Sequence, residues 1–310
     1  MFSGSMRLPL FRSTGMALCT CLPKYNLNTY LGRCAHGCLY CYATKFPSFT
    51  GPVRPRTALL DTIEGMARGT KEKLPVMISD CTDPYQPLEE ENRITRRCAQ
   101  VLAKHNFPLL IVTKSNLVTR DIDIFRQTKT VVSISVTTLR ADIAGLIEPH
   151  APSPNLRISA LKRIGEEGIP TVARVDPIIP TINDDERDFE ELVSALADVD
   201  VKQVTVSTLK PVRGFFSALR SVDPGLHGKL WDIYKDGYWA MGYRHMREAR
   251  SKEIIEKLRP VVIRYGLRFA SCREGLPMLN TSLCDGTAHC RGPLSTSIPS
   301  ANNTSSLSRR

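Results

Sequence analysis

Six short apolar, β-branched runs recur along the first two thirds of the chain, at residues 26–32, 75–79, 108–113, 130–137, 171–178 and 203–209. Near-continuous Val, Ile and Leu content marks strands buried on both faces, as strands of parallel sheets are. Helical patterns separate most of them, at 58–73, 93–105, 155–167 and 185–197. Six βα units in series predict an α/β fold with a parallel sheet, and right-handed crossovers curl such a sheet into an open barrel. Active sites of βα barrels sit at the C-terminal ends of the strands. The loops that follow each run are therefore where chemistry is expected.

From Pro211 the alternation breaks down. Helical segments carrying Trp231, Tyr234, Tyr238, Trp239 and Tyr243 lead into a basic stretch at 244–264, and a last strand-like run lies at 266–271. The expected layout is a variable N-terminus (1–24), a barrel core (25–210), a mainly helical, basic extension (211–292) and a Ser/Thr/Asn-rich disordered tail (293–310). No apolar run approaches the length of a membrane span, so no membrane partner is expected. Met6 and Met16 are alternative starts.

Three cysteines set the chemistry. Cys34, Cys38 and Cys41, spaced C-x₃-C-x₂-C, follow the first predicted strand and place three thiolates in one short loop. Three thiolates can hold three irons of a [4Fe–4S] cube, leaving the fourth iron free for a small molecule. The alternative is a mononuclear zinc site completed by His36, although zinc usually takes paired C-x₂₋₄-C knuckles. A disulfide framework does not fit cysteines this close-set without a secretory signal. The spacing resembles the signature of radical S-adenosylmethionine (SAM) enzymes. That resemblance implies a partial (βα)6 barrel, a [4Fe–4S] cluster, SAM as cofactor, and an electron donor such as ferredoxin or flavodoxin. It also implies reductive cleavage of SAM to a 5′-deoxyadenosyl radical. An oxygen-labile cluster and free thiols point to a reducing cytoplasm.

Polar residues at later strand ends would ring this loop. The segment Ser79-Asp80-Cys81-Thr82-Asp83 offers carboxylate and hydroxyl acceptors to the SAM ammonium, with Ser79, Thr82 and Asp83 the candidates. Lys114 offers an ammonium to a carboxylate, and Ser133, Ser135, Arg174 and Asp176 follow on the next strands. The segments Asp83-Pro84-Tyr85-Gln86-Pro87, Thr113-Lys114-Ser115, Arg120-Asp121, Glu148-Pro149-His150-Ala151-Pro152-Ser153 and Pro177-Ile178-Ile179-Pro180 resemble the spore photoproduct lyase-like branch of radical SAM proteins. This branch is often labelled DNA repair photolyase. The resemblance spans about residues 25–290 and implies cluster ligation by Cys34, Cys38 and Cys41. It further implies SAM contacts from Lys114 and Ser135, hydrogen relay by Tyr40 and Tyr42, and a hydrogen-donating thiol at Cys81. Free cysteine also commonly packs as a small hydrophobe, and that reading of Cys81 stays open. No segment matches the lyase's lesion-wedging hairpin.

Three features lie outside that set. Cys272, Cys284 and Cys290, near His289, form a second group suited to an auxiliary cluster, a mononuclear metal or free thiols. Cys98 sits on an apolar helix face and is expected in the core. The net charge of +11 is concentrated: residues 1–200 hold 24 Lys and Arg against 23 Asp and Glu, residues 201–310 hold 18 against 8. Such asymmetry marks either a nucleic-acid-facing region or a solvated helix surface. Three functional classes therefore stand: a radical SAM enzyme acting on nucleic acid, one acting on protein or a small molecule, and a metal-bearing nucleic-acid-binding module.

Overall fold

The computed structural model describes residues 7–290 except 14, 15 and 17. The six expected strands are Lys24–Leu27, Val76–Ile78, Leu109–Thr113, Thr130–Ser135, Thr171–Ile178 and Gln203–Thr208, side by side in chain order and all parallel. Helices Leu59–Gly69, Ile94–Lys104, Pro154–Glu166 and Glu186–Asp198 lie near their expected spans. A seventh parallel strand, Arg268–Ser271, pairs with Gln203–Thr208, and Leu10–Phe11 adds an antiparallel edge beside Lys24–Leu27.

The two-residue period of a strand decides what each face does. Leu109 and Ile111, Val132 and Ile134, Ala173 and Val175, and Val204 and Val206 join one core with Ile63, Leu102, Leu161 and Leu192 of the helices. The other face begins apolar, with Leu110, Val131 and Val172, and turns polar towards the strand ends, with Ser135, Arg174, Asp176 and Ser207. Those polar ends line a cavity.

Three expectations are corrected. The first strand ends at Leu27, because Asn28 turns the chain: its side chain donates to Asp80 (3.0 Å) and its carbonyl accepts from Arg56 (2.7 Å). The cysteine loop follows instead a short strand, Tyr30–Leu31, paired antiparallel with Arg54–Pro55. The region after Pro211 holds more helix than strand, but part of it joins the barrel sheet. Phe215–Val222, Pro224–Tyr234 and Glu248–Arg264 are helices, but Tyr238–Ala240 and Tyr243–His245 form an antiparallel hairpin, and Arg268–Ser271 belongs to the barrel sheet. Gly237 makes that hairpin possible, since a Cβ there would lie 1.8 Å from the His245 carbonyl oxygen. Boundaries at residues 25 and 211 thus cut through one sheet. The expected tail at 293–310 lies outside the described residues. Among the described residues no helix is long and apolar enough to cross a membrane.

The chain beyond Arg268–Ser271 returns over the concave face. Gln203 Nε2 donates to the Leu283 carbonyl (2.9 Å), Thr205 Oγ1 to the Cys284 carbonyl (3.1 Å), and Gln203 Oε1 meets His289 Nε2 (3.0 Å).

Candidate active site

Two successive turns shape the cysteine loop, with Gly37 N donating to the Cys34 carbonyl and Cys41 N to the Cys38 carbonyl, both at 3.2 Å. Cys34, Cys38 and Cys41 thereby line one cavity of about 590 Å³. Gly37 is required at its position: φ is +64°, and a Cβ would stand 3.1 Å from the His150 ring. Neighbouring segments clamp the loop. Leu39 N donates to the Ile147 carbonyl (2.9 Å), His150 N to the His36 carbonyl (3.2 Å), and Ala35 N to Gln86 Oε1 (3.0 Å).

Asp83 is the latch of this clamp. Its carboxylate accepts from Thr113 Oγ1 (2.6 Å), Lys114 N (2.6 Å) and Tyr85 N (2.8 Å), and lies 3.2 Å from His36 Nε2. Burial works against that charge, but His36 and these donors hold the carboxyl down at about 2. The other His36 nitrogen lies 3.3 Å from the His150 carbonyl oxygen. His36 thus sits between the Asp83 carboxylate and the His150 carbonyl. The three thiols, all sulfur donors lining one cavity, fit three corners of an iron–sulfur cube. Burial pushes Cys34 and Cys38 up to about 12, with Asp83 adding to the effect at Cys34. A metal must therefore displace their protons on binding.

Beneath the loop lies a buried charge cluster. Glu148, 1% exposed, is ion-paired with Arg157 and accepts from Tyr40 OH and from Thr137 Oγ1 (3.1 Å). Lys114 Nζ stands 3.8 Å from the same carboxylate and 5.5 Å over the Tyr40 ring. Burial opposes the Lys114 charge, yet Glu148 and Cys38 more than offset it, so the ammonium is held charged at the cavity wall.

The cavity lining also carries Ser79, Cys81 and Tyr42. Ser79 adopts φ +58°, and its buried hydroxyl has no partner among the described residues. Tyr42 OH donates to the Asp80 carbonyl, and its ring meets Tyr243 edge-on at 6.3 Å. Burial raises the Cys81 thiol, with Asp80 adding to the rise, and burial holds both Tyr40 and Tyr42 well above the usual phenol range. All three stay protonated at neutral pH. Ser135 lines the cavity too. Thr82 and Arg174 also line it but have other work: Thr82 Oγ1 donates to the Tyr30 carbonyl (3.4 Å), while Arg174 pairs with Asp176 (2.7 Å) and donates to the Cys284 carbonyl (3.2 Å).

The second cysteine group is regrouped by the fold. Cys284 lies near Cys272, and its other neighbour is Cys21 at 4.0 Å between sulfurs. Cys290 packs instead with Leu110, Val131 and Val172, and its Sγ lies 3.5 Å from the Thr287 carbonyl oxygen. Cys98 is fully buried in the main core, as its helix face predicts. Sequence reasoning assigned no role to Glu148, although the residue sits in the Glu148-Pro149-His150 motif. It also missed Lys210 and Glu274, a buried ion pair 2.5 Å apart. Their partnership spans 64 residues, and no local pattern announces it.

A family model described as the radical SAM superfamily matches residues 29–207, the span that builds most of the parallel sheet and the cysteine loop. The chain belongs to the radical SAM superfamily. An uncharacterized protein of Methanocaldococcus jannaschii is 32% identical over 165 residues, a match covering 52% of this chain and 62% of the relative. A protein of Pseudomonas phage M6 named radical SAM Nalpha-GlyT isomerase is 23% identical over 175 residues, covering 54% and 36%. Among solved structures, a double mutant of spore photoproduct lyase with bound AdoMet and dinucleoside spore photoproduct has the same fold. Its TM-score is 0.62 at 19% identity, over 80% of this chain and 75% of that one. As a radical SAM protein with this fold, the chain is an enzyme.

Proposed function

We propose that this enzyme uses a [4Fe–4S] cluster held by Cys34, Cys38 and Cys41 to cleave SAM, and that the resulting radical acts on a nucleic-acid substrate. The carrying observation is that three thiols and a charged ammonium, Lys114, share one cavity. When bound, such a cluster supplies the electron for reductive cleavage of SAM to a 5′-deoxyadenosyl radical. The chain's own residues do the rest. Lys114 binds the SAM carboxylate, and its distance from Glu148 leaves its donors free to do so. The Ser79 hydroxyl, otherwise without a partner, and Ser135 take the remaining polar atoms of SAM. Asp83, Thr82 and Arg174 hold the walls in shape, since their polar groups are already spent on neighbours. Cys81 donates a hydrogen atom to the substrate radical and is left as a thiyl; the nearby Tyr42 phenol gives it a hydrogen atom and is left as a phenoxyl radical, which one electron from the external donor and a proton return to the phenol. Tyr40, bonded to Glu148, orients the floor and stands as the second relay phenol.

A nucleic-acid substrate is favoured by the hairpin, whose Met241 and Tyr243 line the cavity while Trp239 is 51% exposed beside them. Exposed aromatics next to cations offer stacking surfaces for bases. The fold neighbour's bound dinucleoside photoproduct is in keeping with this reading. An electron donor of the ferredoxin or flavodoxin class and a reducing cytoplasm complete it. The test is anaerobic reconstitution with SAM and a reductant, followed by assay of 5′-deoxyadenosine and of deuterium transferred into nucleic-acid substrates. Alanine at Cys34, Cys38 or Cys41 should each abolish SAM cleavage, because the three ligands act as a unit. Protein without acid-labile sulfide after reconstitution would sink the reading.

A further inference from the structure

Four further thiols, drawn from the two ends of the chain, gather at the margin of the same cavity, which Cys19, Cys21 and Cys272 line together with the loop cysteines. Cys19 and Cys21 lie between the strands Leu10–Phe11 and Lys24–Leu27, and Cys272 and Cys284 follow the last strand, Arg268–Ser271. The Cys21 and Cys284 sulfurs stand 4.0 Å apart, with Cys19 two residues before Cys21 and Cys272 near Cys284. As they stand the four do not form a closed shell, and neither do the three of the loop.

We propose that Cys19, Cys21, Cys272 and Cys284 form a mononuclear tetrahedral zinc site, distinct from the three-cysteine loop. Two observations carry this. The first is spacing. Zinc–sulfur bonds of about 2.3 Å put tetrahedral sulfurs about 3.8 Å apart, close to the Cys21–Cys284 separation. Sulfurs on a cubane diverge to four separate irons and cannot stand so near. The second is charge. Zinc with four thiolates carries two negative charges, which cannot be buried uncompensated. Here Lys24 touches Cys21, while Arg174 and Arg273 stand by Cys272. Lys24 pairs with Asp285 at 2.7 Å and Arg174 with Asp176 at 2.7 Å, so Arg273 is left to offset one of the two charges, and the other lies towards the cavity that Cys19, Cys21 and Cys272 line.

The site ties the start of the sheet to its end. A parallel sheet that does not close leaves its two edges to separate, and a metal bridge between residues 263 apart in sequence opposes that. Arg273 also lies 5.4 Å over the Tyr42 ring, so the bridge holds one wall of the cavity.

The test uses the full chain with Cys34, Cys38 and Cys41 all changed to Ala, so that the loop contributes no metal. Elemental analysis should find one zinc per chain, and cobalt substituted for zinc should show intense thiolate-to-metal charge transfer. Adding Cys21→Ser or Cys284→Ser should weaken zinc retention against a chromophoric chelator at least tenfold, whereas Cys290→Ser should leave it unchanged. If a serine variant fails to fold, the cobalt spectrum of the triple-alanine protein still decides. Absence of zinc and of the cobalt–thiolate band would overturn the proposal. Iron with sulfide in place of zinc would overturn it too, as would a stoichiometric Cys21–Cys284 disulfide.

Discussion

Cys81 is where two uses of one residue come apart in experiment. Cys81→Ala leaves the loop thiols and Lys114 in place, so SAM cleavage should persist. If the thiol returns hydrogen to substrate, the substrate radical is then quenched by other routes and the product distribution changes. A packing role would cost only modest stability, about 1 kcal/mol, with the same products. Product identity measured by mass spectrometry decides between them. Lys114→Met keeps the length of the side chain and removes its charge, so KM for SAM should rise by tenfold or more while the protein stays folded. Unchanged KM would remove Lys114 from the SAM site. The three loop cysteines were legible because their spacing is local. The commitments of Asp83 and Arg174 were not, because each is set by partners on other strands. Sequence shows that a carboxylate lies at the rim, but only the fold shows that its oxygens are already taken.

The segment 283–290 makes the same point for an element. It has no regular period, and nothing in its composition says that it returns over the concave face. His289 meets Gln203 there and is held neutral, its imidazole pushed down to about 4 by burial, then by Arg268 and Lys202. In the unfolded chain the ring titrates near its ordinary value of about 6.5. Between those two values the unfolded state binds more protons than the folded one. The stabilisation is therefore complete above about pH 6.5, shrinks as pH falls, and is gone below about 4. It amounts to about 2 kcal/mol once solvent screening of the ring is allowed for. Urea unfolding of His289→Gln should depend less on pH across this window than the parent, and identical slopes would exclude the ring as the cause. Five of the six barrel strands, by contrast, were readable to within about two residues, since their β-branched runs are mostly buried on both faces, whereas the first was not, because Asn28 ends it at Leu27. The hairpin was not: aromatic spacing at 231–243 fits a helix equally well, and Gly237 and Gly242 decide for a turn.

At the scale of the whole molecule, the excess of ten positive charges in residues 201–310 has to be sorted by what each cation already does. Arg244 is locked into the fold, donating to the Tyr234 and Lys235 carbonyls at 2.8 and 2.7 Å and lying 5.0 Å over Trp231. Arg247 and Arg250 are half-neutralised by Asp236 and Glu253. Reversing those three would disturb structure or pairing before it disturbed a ligand. Arg213, Arg220 and Lys229 are exposed, lie in or beside the helices Phe215–Val222 and Pro224–Tyr234, and take part in no ion pair among the described residues. If this third of the chain faces nucleic acid, changing Arg213, Arg220 and Lys229 to Glu should weaken binding steeply. The slope of log K against log salt should fall by about 0.7 to 0.9 for each phosphate that is no longer neutralised. SAM cleavage should be unaffected, because these residues lie outside the cavity lining. Binding measured by fluorescence anisotropy across a salt series reads both quantities. Affinity that is absent even at low salt, or insensitive to the reversals, would leave the basic surface as a solvated one. The radical would then act on a protein or small molecule admitted directly to the cavity.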